Sequence, residues 1–513
     1  MKLTNSTKKG KIVSLALSKT LAEQYHRLDA SFVPWSVDLR NHLLTRFPLL
    51  DGTEPMPESE LLQPKWTLAL QTKAEDLAAI TFTNGDHGTA DSMVDRMTVT
   101  LKENRRMTPD THWQDVRHLA FASEEAAAYG PGDVLTIYPK NSPEDVDQLL
   151  TRMDWSDIAD KPIHFTPTKP LDGSSFYPSP SIALPGTTTT LRTLLTQHLD
   201  LTTIPRRSFF SLIAHFTDDQ FHKDRLLEFT QPEYIDELYD YTTRPRRSIL
   251  EVLQEFESVR IPWQWAANVL PELRGRQFSI ASGGRLKSSP QGTARFELLV
   301  AIVKYKTVIK KIREGVCTRY LANLPVRSEL YVTLQKGGLA IGKGEARRPV
   351  MMVGPGTGVA PMRSMIWERL SWAQEMRAQI EAASALQPNG PPSIPQSLLF
   401  FGCRSQSADY FYEIEWDRIK DLLPFEIYPA FSRDQERKVY VQDLIREHAD
   451  SVFHILHENN GIIYVCGSSG KMPQAVRAAL VDVFIDHGKM EREMAEKLIK
   501  HMEREGRYKQ ETW

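Results

Sequence analysis

A glycine-punctuated run, Val353-Gly354-Pro355-Gly356-Thr357-Gly358-Val359-Ala360-Pro361, sits between an apolar strand pattern and a helical one. Glycines let a backbone come close to a phosphate, and the helix start that follows offers free N–H groups and the positive end of its dipole. Gly356, Thr357 and Gly358 would line a pyrophosphate seat. A tight strand-to-helix turn with no ligand reads the same in isolation. Further along comes Ser432-Arg433-Asp434-Gln435-Glu436-Arg437-Lys438-Val439-Tyr440-Val441-Gln442. A dinucleotide lacking a 2′-phosphate is usually held by an acidic residue at its ribose, whereas a 2′-phosphate wants hydroxyls and cations. Ser432, Arg433, Lys438 and Tyr440 supply them. Alone, the stretch reads better as a solvated charged loop; with the glycine seat upstream it favours NADPH over NADH.

Two earlier motifs suggest a second nucleotide. Arg276-Gln277-Phe278-Ser279-Ile280-Ala281-Ser282 puts a cation, an aromatic ring and a hydroxyl on a short strand, and Gly315-Val316-Cys317-Thr318 opens a helix. An arginine and a helix start can hold a diphosphate, the ring can cover a flat ligand, and the serine hydroxyl can reach a ring nitrogen. Together they describe a flavin dinucleotide site. Either alone also reads as an ordinary barrel strand or helix cap.

The surrounding pattern says what must position these groups. From about Arg348, strand and helix alternate: Pro349–Val353, Ala360–Gln379, Leu398–Phe401, Tyr410–Leu423, Phe425–Phe431, Ile462–Cys466 and Lys471–His487. That alternation predicts an α/β doubly wound parallel sheet with its ligand at the carboxyl ends of the strands. Pro-rich Gln387–Gln396 is expected to be a surface loop. Upstream, Gly130-Pro131-Gly132 turns the chain into a β-rich Val134–Tyr138, and strands return at Gln277–Ala281 and Phe296–Val303. Between them, Leu191 to Pro271 carries helical apolar stripes through Leu194, Leu195 and Leu199 and through Ile249, Leu250, Leu253 and Phe256. The expectation is an antiparallel β-barrel over 97–345 interrupted by a helical insertion at about 191–271, then the α/β domain over 346–513. Residues 1–96 differ in texture, with a strand expected at Lys11–Ala16, a helix at Pro34–Leu44 beginning on its proline and bearing Trp35, Leu39 and Leu43 on one face, and an exposed linker at Asp51–Lys65.

Bulk properties narrow the partners. A chain of 513 residues suggests roughly three domains, and a net charge of -2 gives no field to collect nucleic acid or anionic lipid. Cys317, Cys403 and Cys466 form neither a CxxC pair nor a disulfide framework, so a reducing compartment is expected and no metal site. No apolar run approaches the ~18 residues of a membrane span, and the start has no secretory pattern. A cytoplasmic location is the reading.

The series RxFS (Arg276–Ser279), GVCT (Gly315–Thr318), GPGTGVAP (Gly354–Pro361), FGCR (Phe401–Arg404), SRD (Ser432–Asp434) with KVYVQ (Lys438–Gln442), YVCG (Tyr464–Gly467) and a terminal tryptophan resembles the ferredoxin-NADP reductase-type half of the diflavin reductases. Within them, Leu201–Phe210 (LTTIPRRSFF), Arg244–Leu253 (RPRRSILEVL) and the ending Glu511-Thr512-Trp513 are most similar to the branch of cytosolic iron-sulfur cluster assembly. The resemblance covers about residues 97–513 and, faintly, 27–66. It implies FAD ligands at Arg246, Arg276, Gln277, Phe278, Ser279, Gly315, Val316, Cys317, Thr318 and Trp513. It implies NADPH ligands at Thr357, Ser432, Arg433, Lys438, Val439, Tyr440, Val441 and Gln442.

Three departures qualify it. Phe278 stands where related microsomal reductases have tyrosine, so stacking survives without a phenol hydrogen bond. Ala475 follows Met472-Pro473-Gln474 where the family often has an acid, which takes away one contact on the nicotinamide side. The family begins with a flavodoxin-like FMN domain, of which Tyr25–Leu44 resembles only the last helix; the expectation is a chain lacking most of that domain. Thr4-Asn5-Ser6-Thr7 precedes the expected strand and reads as a polar start, not a phosphate loop.

The resemblance also implies a mechanism, with Trp513 covering the flavin until nicotinamide displaces it, Ser279 hydrogen-bonding near flavin N5, Cys466 beside the nicotinamide and Glu511 steadying developing positive charge. A buried strand cysteine is the equal alternative for Cys466. Electrons would continue through FMN to an anamorsin-type iron-sulfur protein. A cytochrome or sulfite reductase flavoprotein, or a scaffold that only binds the assembly partner, are the competing readings.

Overall fold

The computed structural model describes residues 21–48, 60–71, 96–168, 189–289, 292–339, 341–382 and 394–513. The strand expected at Lys11–Ala16, the polar start at Thr4–Thr7, and most of the stretches Asp51–Lys65 and Gln387–Gln396 lie outside them. The chain divides into two compact units, one of Met1–Pro64, Thr202–Pro262 and Thr307–Lys311, the other of Lys65–Leu201, Trp263–Lys306 and Ile312–Trp513.

In the first unit a helix runs from Leu21 to Arg46 with Pro34 inside it. A helix beginning at Pro34 is the expectation, because proline is at home in a first turn; instead the helix continues on both sides and gives up one backbone hydrogen bond at the ring. Its Phe32, Trp35, Leu39 and Leu43 are exposed. The described residues of the unit also form short helices at Arg207–Ile213, Gln220–Glu228 and Ile249–Glu255. The last begins on a capping box in which Ser248 and Glu251 satisfy each other's backbone N–H. Phe210, Phe229, Tyr241 and Phe256 form its aromatic core, with Phe229 and Tyr241 stacked at 4.7 Å.

The second unit holds two sheets that matter for function. Strands β1 (Arg96–Arg106), β2 (Val116–Ser123), β3 (Val134–Ile137), β4 (Arg276–Ser279), β5 (Arg295–Ala301) and β6 (Glu329–Gln335) form an antiparallel sheet in the order β4-β3-β6-β1-β2-β5. An isolated bridge between Ile280 and Leu298 brings the end of β4 back onto β5, so the sheet nearly closes on itself. Leu101, Leu119, Phe121, Leu135, Phe296, Leu298 and Val332 fill the inside, each contributing roughly 1.5–3 kcal/mol by leaving water. Helix α1 (Val316–Asn323) packs Cys317 and Leu321 into the same core.

Strands β7 (Val350–Val353), β8 (Ser397–Cys403), β9 (Phe425–Phe431), β10 (Ile462–Gly467) and β11 (Tyr508–Thr512) form a parallel sheet in the order β9-β8-β7-β10-β11. Alternate residues feed two cores: Met352, Leu399, Phe401 and Tyr464 on one face with helix α2 (Val359–Ala382), Met351, Val353, Phe400 and Val465 on the other with α3 (Met472–Asp486). Burial on both faces is what the continuous apolar runs require. Strand β11 had no sequence signal, because Tyr508-Lys509-Gln510-Glu511-Thr512 is polar and sits at an edge. Among the described residues no helix is long and apolar enough to cross a membrane.

Candidate functional site

The glycine run turns from β7 into α2 at the centre of the parallel sheet. A β-carbon on Gly358 would stand 2.4 Å from the Cys466 carbonyl oxygen, and one on Gly354 would stand 2.8 Å from the Gly358 oxygen, so both are glycines by close approach. Gly356 is different: its φ is +57° and nothing lies within 4 Å of a β-carbon there. The loop is thus pinned at its two ends and open at Gly356 and Thr357, as a phosphate seat at a helix start must be.

Ser432 follows β9 directly, its Oγ donating to the Cys403 carbonyl at 3.2 Å, and the Arg433 N–H bonds the Arg404 carbonyl at 2.8 Å. The Arg433 and Lys438 side chains are exposed and have no protein partner among the described residues. Tyr440 is exposed and caps the helix Val441–Glu447. Val441 is buried and Val439 packs on the core, so of the predicted run only Lys438, Tyr440 and the half-buried Gln442 can offer side chains. A cation the sequence reading left unassigned, Arg404, lies beside this loop with its guanidinium 4.3 Å over the Trp113 ring; its signal was a charged residue immediately after β8. Hydrogen bonds from the Arg404 and Ser405 N–H groups to Asp409, and from the Gln406 N–H to Asp434, fix the turn.

The other edge of the same carboxyl end carries Cys466, Glu511 and Trp513. Parallel pairing sets Cys466 against Glu511 and Gly467 against Thr512, and the Trp513 N–H bonds the Gly467 carbonyl at 3.1 Å. Burial raises the Glu511 carboxyl, against a hydrogen bond from the Gly338 N–H, while its Oε2 is buried with no partner among the described residues. The Cys466 thiol is fully buried, and burial together with the Glu511 charge pushes its pKa far up. It is a neutral thiol. Trp513 is 53% exposed at the end of the edge strand.

On the barrel, β4 aligns Phe278 with Leu135 and Ser279 with Val134. Phe278 is half-buried against the core, Ser279 is half-exposed with no side-chain partner among the described residues, and Gln277 donates to Gln335 at 2.6 Å. Arg276 bonds the Arg274 carbonyl and lies 3.9 Å from Asp200. Gly315 caps α1; a β-carbon there would meet Thr318 Oγ1 and Val303 at 2.9 Å. The side chains of Val316, Cys317 and Thr318 are all buried. Thr318 Oγ1 accepts from the Val303 N–H and donates to the Gly315 carbonyl, and burial pushes the Cys317 thiol up to about 12. What the segment offers a ligand is its first-turn N–H groups, which no helix carbonyl accepts. Arg246 belongs to the first unit, at φ 54°, and its guanidinium has no partner among the described residues.

Each of these two places therefore has backbone donors at a helix start and nearby cations, a donor set that suits a dinucleotide. Residues 90–320 match the FAD binding domain family and residues 352–478 the oxidoreductase NAD-binding domain family. The chain is also 48% identical, over 518 aligned positions, to NADPH-dependent diflavin oxidoreductase 1 of Aspergillus fumigatus, an alignment spanning 96% of this chain and 78% of that protein. This chain belongs to the NADPH-dependent diflavin oxidoreductases. Other members are similar at 48% in Emericella nidulans, over 95% of this chain and 76% of the relative, and at 36% in Candida albicans, over 95% and 77%. As a diflavin oxidoreductase with both nucleotide modules, the protein is an NADPH-dependent flavin oxidoreductase, and the family match decides against the neighbouring reductase classes.

Proposed function

We propose that this chain takes hydride from NADPH onto FAD and passes electrons, through FMN, to an anamorsin-type iron-sulfur protein of cytosolic iron-sulfur cluster assembly. The observation that carries the NADPH half is the pair of exposed cations, Arg433 and Lys438, with no partner among the described residues, beside Ser432 at the carboxyl end of the sheet that also bears the open glycine loop. The partner and the cytoplasmic location rest on the family resemblance. Bound together, the cofactors supply a hydride donor and an acceptor that can release electrons one at a time.

The chain's own groups position and polarise. The glycine loop and first turn of α2 would hold the pyrophosphate; Ser432, Arg433, Lys438 and Tyr440 would grip the 2′-phosphate; Arg276 and the first-turn N–H groups of α1 would hold the flavin diphosphate. Phe278 would stack and Ser279 would offer its hydroxyl at the flavin edge. Glu511, poised above its ordinary range, would bring negative charge to the nicotinamide edge, and Trp513 would exclude water until the dinucleotide arrives. Cys466 fills space there as a neutral thiol, not as a nucleophile. Ferricyanide reduction by the purified protein tests the reading: NADPH should support turnover and NADH little, with reduction of the iron-sulfur partner as the second arm. No turnover with NADPH in protein carrying FAD would reject it.

A further inference from the structure

The strand that presents the flavin-side residues and the helix that starts at the glycine loop are joined inside the second unit by a buried polar clasp. Arg363 lies one turn into α2, is 5% exposed, and donates from Nη1 to the Ala281 carbonyl at 2.8 Å and to Glu297 Oε2 at 2.7 Å. Its Nε and Nη2 bond Glu415 at 2.9 and 3.1 Å, and its guanidinium lies 4.4 Å over the Tyr412 ring. Ala281 is two residues past Ser279 on the barrel, Glu297 is on β5, and Tyr412 and Glu415 belong to the parallel-sheet region. The next helical residue, Ser364, donates to the Ser282 carbonyl at 2.7 Å, and Glu368 accepts from the Gly284 N–H at 2.7 Å and from Lys287 at 2.9 Å. The Tyr412 hydroxyl continues the network to His118 Nδ1 on β2 at 3.1 Å.

The backbones themselves touch. A β-carbon on Gly283 would fall 1.9 Å from the Ser364 carbonyl oxygen, and one on Gly284 would fall 2.2 Å from that of Trp367. A glycine pair here lets barrel and helix pack backbone against backbone, and they cannot separate or slide without losing the bonds from Arg363 and Ser364 to the Ala281 and Ser282 carbonyls and from the Gly284 N–H to Glu368. A buried arginine between two carboxylates is weak evidence for stability, but it fixes registry, because each alternative arrangement leaves a charge unpaired. Guanidinium geometry is what allows three partners in fixed directions at once.

We infer that Arg363 is a positioning residue for hydride transfer, holding the β4 strand and the glycine-loop helix in one register through the Ala281–Gly284 clasp. The inference rests on the hydride reading above. It matters because reacting groups misplaced by about 1 Å lose on the order of 100-fold in rate, and the path from Ser279 through Ala281 to Arg363 and the glycine loop is a short one between the two seats. Arg363 touches neither seat's ligand groups, so its effect should be on rate and not on affinity.

The test compares Arg363→Lys and Ser364→Ala with the unsubstituted protein, each purified with its FAD. Lysine keeps the charge and cannot reach two carboxylates and a carbonyl together. On anaerobic mixing with saturating NADPH, flavin bleaching should slow about 100-fold for Arg363→Lys and about threefold for Ser364→Ala, with NADPH dissociation constant and FAD content unchanged. Calorimetry of the full chain should show the barrel and the parallel-sheet region melting together, and apart in Arg363→Lys. Unchanged bleaching, an unsplit transition, or a loss of cofactor affinity in place of rate overturns the inference. If Arg363→Lys does not fold, the Ser364→Ala rate decides. Unsubstituted protein that NADPH does not bleach overturns the hydride reading instead, and calorimetry still decides the clasp.

Discussion

The two nucleotide seats of the second unit are built in opposite ways. At the barrel, the segment Gly315–Thr318 turns its side chains inward, Thr318 is closed by two hydrogen bonds, and only backbone N–H groups face outward. At the parallel sheet, the glycine loop is open at Gly356, and Arg433 and Lys438 stand exposed with no partner among the described residues. A seat that is mostly finished before the ligand arrives costs little to order, and it suits a cofactor that stays. Loose cations must be immobilised at each binding event, which suits a cofactor that comes and goes.

The comparison can be broken first at the glycines. Gly358→Ala drives a methyl onto the Cys466 carbonyl, an overpacking clash of about 3 kcal/mol; thermal unfolding should show that loss, and NADPH-dependent turnover should vanish while bound FAD is retained. Loss of FAD as well would mean that the seats are not separable. Next is Arg433→Ala. Removing a charged hydrogen bond to the 2′-phosphate, about 1.5–3 kcal/mol, should raise the KM for NADPH between about 10- and 100-fold and leave that for NADH alone. Equal effects on both would reassign Arg433 to the shared part of the dinucleotide.

A smaller effect sharpens the nicotinamide edge. Because burial raises the Glu511 carboxyl above its ordinary 4.5, its protonated form is the one that folding favours, so its contribution to stability is present at low pH and is lost as pH rises through the raised value. Its negative charge follows the opposite course. Flavin reduction should therefore slow as pH falls through that value, and Glu511→Gln should flatten this acid limb and remove the stability trend. An unchanged limb in Glu511→Gln would place the titrating group elsewhere.

The parallel sheet was legible through its continuous apolar runs and its strand-glycine-helix turn, which are local signals, and the barrel through Val134–Tyr138, Gln277–Ala281 and Phe296–Val303, whereas strands β1, β2 and β6 were not singled out. The candidate seat residues could be named from the sequence; the disposition of each side chain could not. Gly315, Val316, Cys317 and Thr318 were read as ligands alike, yet the structure leaves three of them only their N–H groups, because Cys317 belongs to the barrel core and the side chains of Val316 and Thr318 are buried as well. Val441 went the same way. The polar edge strand β11, the Gly338 N–H on Glu511 and the continuation of a helix through Pro34 depend on distant partners or on competition among neighbours, which spacing does not encode. The Ser282-Gly283-Gly284 clasp likewise depends on a helix distant in the chain that lies against it.

The most direct measurement is anaerobic stopped-flow mixing of the purified, FAD-bearing chain with NADPH and, separately, NADH, following flavin absorbance. The account predicts rapid bleaching by NADPH at concentrations where NADH is far slower, with the flavin still bound afterwards. A flavin that stays oxidised with NADPH, or that NADH reduces equally well, would contradict it.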